Sequence, residues 1–301
     1  MTRLRALCLL LALFLLAACL PARRTVTLAL LGDLMIGRSV DPQPDSLSFL
    51  TPELKAADLS LANLESPLSS RLPDWQPAYS LCADAARASL LSAWGLDLLS
   101  LANNHNLDCG LAGAGMPGTA KVLASAGLTP VGPGFQPVFR QVNGQRLAFL
   151  AFDDVSSPLD EGRAIQEIRL AQEGGALVIV SVHWGMEYQS GPSARQKALA
   201  QQFAEAGAAL IIGTHPHVLQ PAAWLPTTRA RTLVLYSLGN ALFDQPGLPD
   251  TRQSALLLVR LDASGVQDVR VLPFLIDVSR SLIIQPDAQT ARLIQARLAL
   301  P

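Results

Sequence analysis

The sequence predicts an α/β protein, and two observations indicate that class. Short apolar runs rich in Leu, Val and Ile recur along the 301 residues, and most are too short for a helix but suit a buried strand. Helix-like stretches, several of which end at a glycine, lie between these runs. Because strands and helices alternate, we expect largely parallel sheets with right-handed crossovers.

The predicted elements follow one another along most of the chain. Strands are expected at Val26–Leu31, Leu59–Leu64, Leu96–Leu101, Leu147–Phe152, Leu177–Val182, Ala209–Ile212 and Leu233–Ser237. Helices are expected at Ala83–Trp94, Gly118–Ala126 and Ser193–Ala206. Towards the C-terminus, Ser254–Leu261 and Val269–Val278 are strand-like and flank a short turn. They predict an antiparallel hairpin at the border of the main sheet.

Composition and charge exclude several classes of protein. Hydrophobic residues make up 50% of the chain and charged residues 16%, which excludes a disordered protein. The chain has 23 Lys and Arg against 24 Asp and Glu, and this balance provides no positive field to attract a nucleic acid. With only four cysteines, a scaffold built on disulfides is also excluded.

The N-terminus predicts export from the cytoplasm. Arg3 and Arg5 precede an apolar run that ends in small residues, so residues 1–18 are expected to form a signal peptide. The run is shorter than the ~20 residues of a membrane-spanning helix. Its end, Leu-Ala-Ala-Cys, resembles a bacterial lipobox. The resemblance implies that Cys19 carries the lipid, including palmitate, and that residues 19–24 tether the protein to the extracytoplasmic face of the cell membrane. The alternative is an ordinary cleaved signal and a secreted protein.

Two cysteines, Cys82 and Cys109, lie in the body of the chain. In an oxidising compartment they could pair, but their spacing does not show whether their Cα atoms come close enough. We expect two separate buried thiols, with a disulfide as the alternative.

Each of the four histidines directly follows an apolar run; they are His105, His183, His215 and His217. Other predicted strand ends supply further polar side chains, namely Asp33, Asn63, Glu65 and Asn240. Because the carboxyl ends of parallel strands meet at one edge of a sheet, these side chains are expected to converge. Imidazole, carboxylate and amide groups suit a divalent ion such as Mn²⁺, Fe²⁺ or Zn²⁺.

Each of these residues also has a purely structural interpretation. Gly-Asp after a strand is common in turns, and a single histidine there is often only a hydrogen-bonded loop residue. The pair Asn103–Asn104 could form a turn with left-handed backbone. The coincidence of all four histidines with strand ends favours the metal interpretation.

Six motifs occur in order along the chain: Gly32–Arg38, Asn63–Pro67, Ala102–Gly110, His183–Tyr188, Gly213–Gln220 and Tyr236–Asp244. Together they resemble the CapA family, the bacterial capsule or poly-γ-glutamate synthesis proteins. The resemblance covers roughly Val26 to Asp277 and implies one domain over residues 25–301. That family is similar to calcineurin-like metallophosphoesterases, which implies a four-layer α/β/β/α sandwich with a metal centre at the strand ends.

The resemblance also implies roles for particular residues. The implied metal ligands are Asp33, Glu65, Asn104, His183, His215 and His217, with Asn104, His183 and His215 around one ion, Asp33 and His217 around the other, and Glu65 bridging. His105 would be the general acid, oriented by Asp108. Residues expected to support the ligands or contact the substrate are Arg38, Asn63, Glu187 and Asn240.

One position departs from the phosphoesterase pattern. Where those enzymes carry Asp-x-His in the first motif, this chain has Asp33-Leu34-Met35, and a thioether is a poor ligand for a hard ion. A single ion held by Glu65, Asn104, His183 and His215 is therefore the alternative to two ions.

Two functions remain open. The first is a metal-dependent hydrolase or transferase that acts on a phosphoester or a cell-envelope polymer during capsule or poly-γ-glutamate synthesis. The second is a non-catalytic metal-containing accessory protein that binds the polymer or the membrane proteins of an export complex. The presence of His105 and Asp108 favours the first, because a binding module has no use for a positioned acid.

Overall fold

The computed structural model describes residues 24–72, 77–110, 115–228 and 231–300. The predicted signal peptide, the predicted lipidation site Cys19 and the tether up to residue 23 lie outside the described residues. The described strands are β1 (Val26–Leu34), β2 (Leu59–Leu64), β3 (Leu68–Ser69), β4 (Ala83–Asp84), β5 (Leu98–Ser100), β6 (Thr129–Val131), β7 (Gly134–Val142), β8 (Gln145–Asp153), β9 (Leu177–His183), β10 (Ala208–Thr214), β11 (Leu219–Pro226), β12 (Arg231–Leu238), β13 (Asn240–Leu242), β14 (Gln253–Asp262), β15 (Gly265–Asp277) and β16 (Leu282–Ile284). The described α-helices are α1 (Thr51–Ala56), α2 (Ala88–Ala93), α3 (Gly115–Ser125), α4 (Glu161–Glu173), α5 (Ala194–Ala206) and α6 (Ala288–Leu298).

Two large mixed sheets form the centre of the fold. The first has the strand order β16-β15-β14-β1-β2-β5-β6, with β13 beside the end of β1, and the second has the order β11-β12-β10-β9-β8-β7. β1, β2, β5 and β6 are parallel, as are β8, β9, β10 and β12. The antiparallel strands lie at the borders of both sheets. The parallel strands thus direct their carboxyl ends to one edge of each sheet.

The apolar residues divide into three layers, which makes the fold a four-layer α/β/β/α sandwich. Along β1, Leu28 and Leu30 face the second sheet, whereas Ala29 and Leu31 face helices α1 to α3. Between the sheets, Leu28 and Leu30 share a core with Phe149 of β8. Helices α4 and α5 cover the outer face of the second sheet. Each fully buried leucine or phenylalanine contributes about 1.5–3 kcal/mol, so this core fixes the sheet-on-sheet arrangement.

The sequence predictions for most strands are confirmed. β2 has the predicted bounds, and the predicted hairpin is present as β14 and β15, which extend the sheet beside β1. Helix α5 begins after Ser193, whose side chain accepts from the backbone N–H of Gln196 in a capping box. The predicted helix Ala83–Trp94 is wrong at its start, because Ala83 and Asp84 form β4 beside β3 and only the later part is helical.

The expectation of two separate thiols is also wrong: Cys82 and Cys109 form a disulfide. The Leu81 backbone N–H donates to the Asp108 carboxylate at 2.7 Å, which holds the two segments together. The two Cα atoms are 4.9 Å apart, within the range that a disulfide needs. The bridge attaches the segment that carries Asp108 to the segment before β4.

No helix among the described residues is long and apolar enough to cross a membrane.

A close backbone contact joins the first strand, beside the predicted ligand Asp33, to Gly239, which connects β12 of the second sheet to β13 of the first. A Cβ on Gly32 would lie 1.9 Å from the carbonyl oxygen of Gly239. Asp33 donates its backbone N–H to that same oxygen at 2.9 Å. Only glycine therefore fits at position 32.

We expect Gly32→Ala to destabilise the protein by on the order of 3 kcal/mol and to lower its melting temperature by roughly 5–10 °C, because the backbone must separate. Gly247→Ala is the control, since nothing lies within 4 Å of a Cβ at that exposed position. Differential scanning calorimetry measures both. Equal melting temperatures for the two variants would contradict the close contact.

Candidate metal centre

The carboxyl ends of strands from both sheets meet at one place and bring polar side chains together. Asp33 is near the end of β1, Glu65 directly follows β2, and His183 ends β9. His215 follows β10, and His217 lies two residues later, before β11. All five residues are buried, which is unusual for charged groups unless something compensates them.

Asp33 is the best-partnered carboxylate in this group. It accepts from the side-chain amide of Asn63 at 2.8 Å and from the backbone N–H of His215 at 3.0 Å. Its Oδ2 lies 3.5 Å from Nδ1 of His217. Burial alone would raise the pKa of Asp33, but the hydrogen bond and charge of His217 outweigh it and hold the pKa below its usual value. Asp33 is therefore ionised.

Glu65 has the opposite environment. Among the described residues, no hydrogen-bond donor reaches either of its carboxylate oxygens, although the side chain is fully buried. Burial and the neighbouring charge of Asp33 raise the pKa of Glu65 well above its usual value. A buried carboxylate without donors is costly, and a bound cation would remove that cost.

His183 and Asn104 place two possible metal-ligand atoms side by side. The ring Nε2 of His183 is 2.9 Å from the side-chain oxygen of Asn104 and 4.0 Å from Oε1 of Glu65. Its Nδ1 is 2.9 Å from the hydroxyl of Thr214. Burial lowers the pKa of His183 well below its usual value, so the ring is neutral and can act as a ligand. A separation of about 3 Å fits two ligands of one ion at metal–ligand distances of about 2.1 Å.

The His-Pro-His turn carries the other two imidazoles. Burial and the nearby His217 lower the pKa of His215. Burial would also lower the pKa of His217, but hydrogen bonds to Asp33 and Asn240 raise it overall. Nδ1 of His217 donates to the side-chain oxygen of Asn240 at 2.9 Å. Both histidines have left-handed backbone, with φ of 95° and 59°. Such conformations cost about 1–3 kcal/mol each and cluster at functional sites.

The predicted residues meet in two groups of possible ligands. Asp33, Glu65 and His217 offer ligand atoms within 4.8 Å of one another, and so do Glu187, His215 and His217. The carboxylate oxygens and imidazole nitrogens of these groups fit a divalent cation. So does Glu65, whose carboxylate receives no hydrogen bond from the described residues. Met35 is buried with its sulfur 3.3 Å from the backbone N–H of Gly37, so it is engaged within its own loop.

The predicted acid, His105, lies in the turn after β5. Its Nδ1 donates to the Asp108 carboxylate at 2.8 Å, and both side chains are partly exposed, at 20% and 16%. Asp108 is held in turn by the Leu81 backbone N–H. The pair directly follows Asn104, whose side-chain oxygen is 2.9 Å from His183, and is more exposed than the buried group.

Three more predicted residues have mainly supporting contacts. Arg38 forms an ion pair with Asp244, and that carboxylate raises the pKa of the guanidinium further. Asn240 accepts from His217 and donates to Gln245 at 3.0 Å. Asn63 bridges Asp33 and Asn103, whose side chain donates to Asn63 at 3.2 Å.

Some residues of the site were not predicted from the sequence. Thr214 and Gln245 hold predicted ligands or their partners, but hydroxyl and amide side chains are common in loops and gave no separate signal. Asn103 was considered only as a turn residue, yet it donates to the Leu64 carbonyl at 2.9 Å and joins two strand ends.

Comparison with known proteins identifies relatives over most of the chain. The profile of the family described as "Bacterial capsule synthesis protein PGA_cap" matches residues 27–245. The chain is 31% identical over 291 residues to the "PGA biosynthesis protein CapA" of Bacillus subtilis (strain 168), covering 87% of this chain and 75% of the relative. It is 34% identical over 281 residues to the "Capsule biosynthesis protein CapA" of Bacillus anthracis, covering 82% and 67%.

A solved structure also resembles the fold. The crystal structure of a hypothetical protein from Thermus thermophilus superposes with a TM-score of 0.54, covering 82% of this chain and 98% of that one. At 20% identity the likeness concerns the fold alone.

Replacement of Glu65 by Gln tests the cation interpretation of the buried carboxylate. In a chelator, we expect Glu65→Gln to be at least as stable as the wild type, because the variant lacks a buried carboxyl group whose ionisation nothing compensates. Mn²⁺ added at 100 times its Kd should stabilise the wild type by about 2.7 kcal/mol and so raise its melting temperature. The melting temperature of the variant should not change. Calorimetry with and without Mn²⁺ measures both effects.

Glu173→Gln is the matched control, since it removes the same charge from an exposed position at the end of α4. This control should respond to Mn²⁺ like the wild type. An equal Mn²⁺ response in Glu65→Gln would refute a cation at Glu65.

Proposed function

The chain belongs to the family of bacterial capsule synthesis proteins, and on this basis we propose that it is a metal-dependent hydrolase or transferase in capsule or poly-γ-glutamate synthesis. We further propose that it acts outside the cytoplasm, anchored to the membrane by a lipid on Cys19. Its substrate would be a phosphoester or an envelope polymer, and its partners the membrane proteins of capsule export.

One observation carries the catalytic part of this proposal: a positioned histidine–aspartate pair directly follows the candidate ligand Asn104, in a fold that also buries a donor-free carboxylate. Glu65 lacks hydrogen-bond donors among the described residues, whereas His105 and Asp108 are bonded to each other and partly exposed. A site that only stabilised the fold would have no need for the histidine–aspartate pair.

The residues that would hold the cation are those that meet at the strand ends, namely Asp33, Glu65, Asn104, His183, His215 and His217. When bound there, a divalent cation supplies Lewis-acid stabilisation of negative charge on the reacting group. Asn63 keeps Asp33 in place through its amide, and Asn240 orients His217.

His105 would act as the general acid that donates a proton to the leaving group. Because its Nδ1 donates to Asp108, Nε2 is the nitrogen that can give a proton to a leaving oxygen. The Asp108 carboxylate orients the ring, and the Leu81 backbone N–H fixes that carboxylate. Arg38, with 29% of its side chain exposed, offers a positive charge for an anionic substrate.

The proposed location has independent support from the disulfide. Bridges such as Cys82–Cys109 form and persist in oxidising compartments and are rare in the cytosol. This agrees with the signal peptide and lipidation site expected from the sequence.

His105→Ala tests the catalytic role. With Mn²⁺ and an aryl phosphodiester as the probe substrate, we expect kcat to fall by about 10²- to 10⁴-fold, because the leaving oxygen loses its proton donor. Asp108→Asn should cause a smaller loss. Metal content, measured by elemental mass spectrometry, should stay at the wild-type level in both variants.

Leu107→Ala is the control, since Leu107 lies between the two residues and its side chain is 61% exposed. It should leave kcat unchanged. Equal turnover by His105→Ala and the wild type would refute the role of His105 as the acid. If the wild type binds metal but turns over neither phosphoesters nor capsule polymer, the accessory-protein function would replace the catalytic one.

Cys19→Ser tests the anchor. We expect the variant to lose metabolic palmitate labelling and to leave the membrane fraction, because a serine cannot carry the lipid. Cys8→Ser, a change in the same N-terminal segment, is the control and should remain in the membrane fraction. Membrane retention of Cys19→Ser without label would argue for another anchor.

A further inference from the structure

The disulfide between Cys82 and Cys109 lies directly beside the proposed acid pair. Cys109 follows Asp108 in the chain. Cys82 follows Leu81, whose backbone N–H donates to Oδ2 of Asp108 at 2.7 Å. The same carboxylate oxygen accepts from Nδ1 of His105 at 2.8 Å. The bridge therefore joins the residue after the carboxylate that orients the acid to the residue after the donor that holds this carboxylate.

The segment before β4 is attached to the acid pair by hydrogen bonds as well as by the bridge. In the described part of the chain, β4 pairs with the two residues of β3 and belongs to neither large sheet. The Ser80 hydroxyl donates to the Asp108 carbonyl at 3.4 Å, which is a long hydrogen bond. Hydrogen bonds of partly exposed groups are individually weak because water competes for them. They therefore hold the Leu81 N–H against Asp108 less firmly than a covalent bond does.

The candidate ligand Asn104 is held from the opposite direction. Asn103 donates to the Leu64 carbonyl at 2.9 Å and to the side chain of Asn63 at 3.2 Å. Its own side-chain oxygen accepts from the backbone N–H of His105 at 3.1 Å. These contacts fix the start of the turn to the end of β2 without the bridge. Loss of the bridge should therefore disturb the imidazole ring of the acid rather than the metal ligand.

The burial of the disulfide favours a permanent role over a reversible switch. Only 3% of Cys82 and 2% of Cys109 is exposed. A disulfide is reduced when a thiolate reaches one of its sulfurs, and burial hinders that approach in the folded chain. Once formed, the bridge is therefore expected to persist.

We propose that the Cys82–Cys109 bridge positions the acid, and that the chain gains full activity only when this pair is oxidised. The inference rests on the proposed catalytic function and names a requirement for it. Oxidation removes two protons and two electrons from the two thiols, and a disulfide oxidant outside the cytoplasm accepts them and becomes two thiols. A chain with reduced cysteines in the cytoplasm has the metal ligands but lacks an oriented His105, so its activity begins after export.

The double variant Cys82→Ser/Cys109→Ser tests the proposal, with Mn²⁺ and an aryl phosphodiester as the probe. We expect kcat to fall by roughly 10- to 100-fold, because the imidazole ring is no longer held at one angle. KM and metal content should stay at the wild-type values. In a His105→Ala background, removal of the bridge should cause no further loss of kcat, because the bridge acts through that ring.

Ile168→Ala is the control for a general loss of stability. Ile168 is fully buried on α4, in the layer that covers the outer face of the second sheet. Its truncation lowers the melting temperature by leaving a cavity in a layer that contains neither His105 nor Asp108. At a temperature at which this variant is folded, it should keep the wild-type kcat.

Proton NMR of the metal-free full chain gives a readout that does not depend on turnover. The hydrogen bond to the Asp108 carboxylate should give the Nδ1 proton of His105 a separate low-field resonance in the wild type and in Ile168→Ala. His105→Ala identifies this resonance by its loss. The double cysteine variant should also lose it, because the loosened ring exchanges its proton with water.

A double cysteine variant that keeps both the wild-type kcat and the resonance would overturn the positioning role. So would an equal fractional loss of kcat with and without His105. A wild type that shows the resonance but turns over neither phosphodiester nor capsule polymer would instead refute the proposed catalytic function, which separates the two failures.

Discussion

The removal of two carboxylates from water is the constraint on which the site depends. Asp33 and Glu65 are both fully buried at neighbouring strand ends, and only Asp33 receives hydrogen bonds. Two adjacent carboxylates in a dry environment cannot both be ionised without a compensating positive charge. The surrounding imidazoles are kept neutral or share protons with Asp33, so they compensate only in part. The arrangement is therefore unfavourable by itself, and a bound cation would compensate for it.

Close backbone contacts at glycines allow this burial. Strand ends from both sheets must approach one another, and the absence of a side chain at Gly32 lets the backbone of β1 contact Gly239 directly. Gly213 has the same function in the second sheet, since a Cβ there would lie 2.0 Å from the Tyr236 carbonyl oxygen. The disulfide then fixes the turn that carries Asp108. Core packing, close glycine contacts and one covalent bridge together position the polar groups.

Much of the fold could be predicted from the sequence because buried parallel strands are continuous apolar runs with clear ends. The same ends pointed to Asp33, Glu65 and the four histidines. The start of the predicted helix at Ala83 failed because a small parallel bridge to β3, a tertiary contact, outweighs local helix propensity. The disulfide was underestimated because sequence spacing carries no information on Cα separation. The position of Glu187 near His215 and His217 depends on how two loops are fixed together, and residue types alone do not encode that.

The metal content of the chain tests the central claim most directly. The full-length protein, purified without chelator, would be analysed by elemental mass spectrometry beside the double variant Asp33→Asn/Glu65→Gln. The account predicts at least one equivalent of Mn, Fe or Zn in the wild type and a loss of the buried ion in the variant. A wild type that contains no metal, and takes up none from Mn²⁺ or Zn²⁺ solutions, would contradict the claim that the buried carboxylates are the ligands of a cation.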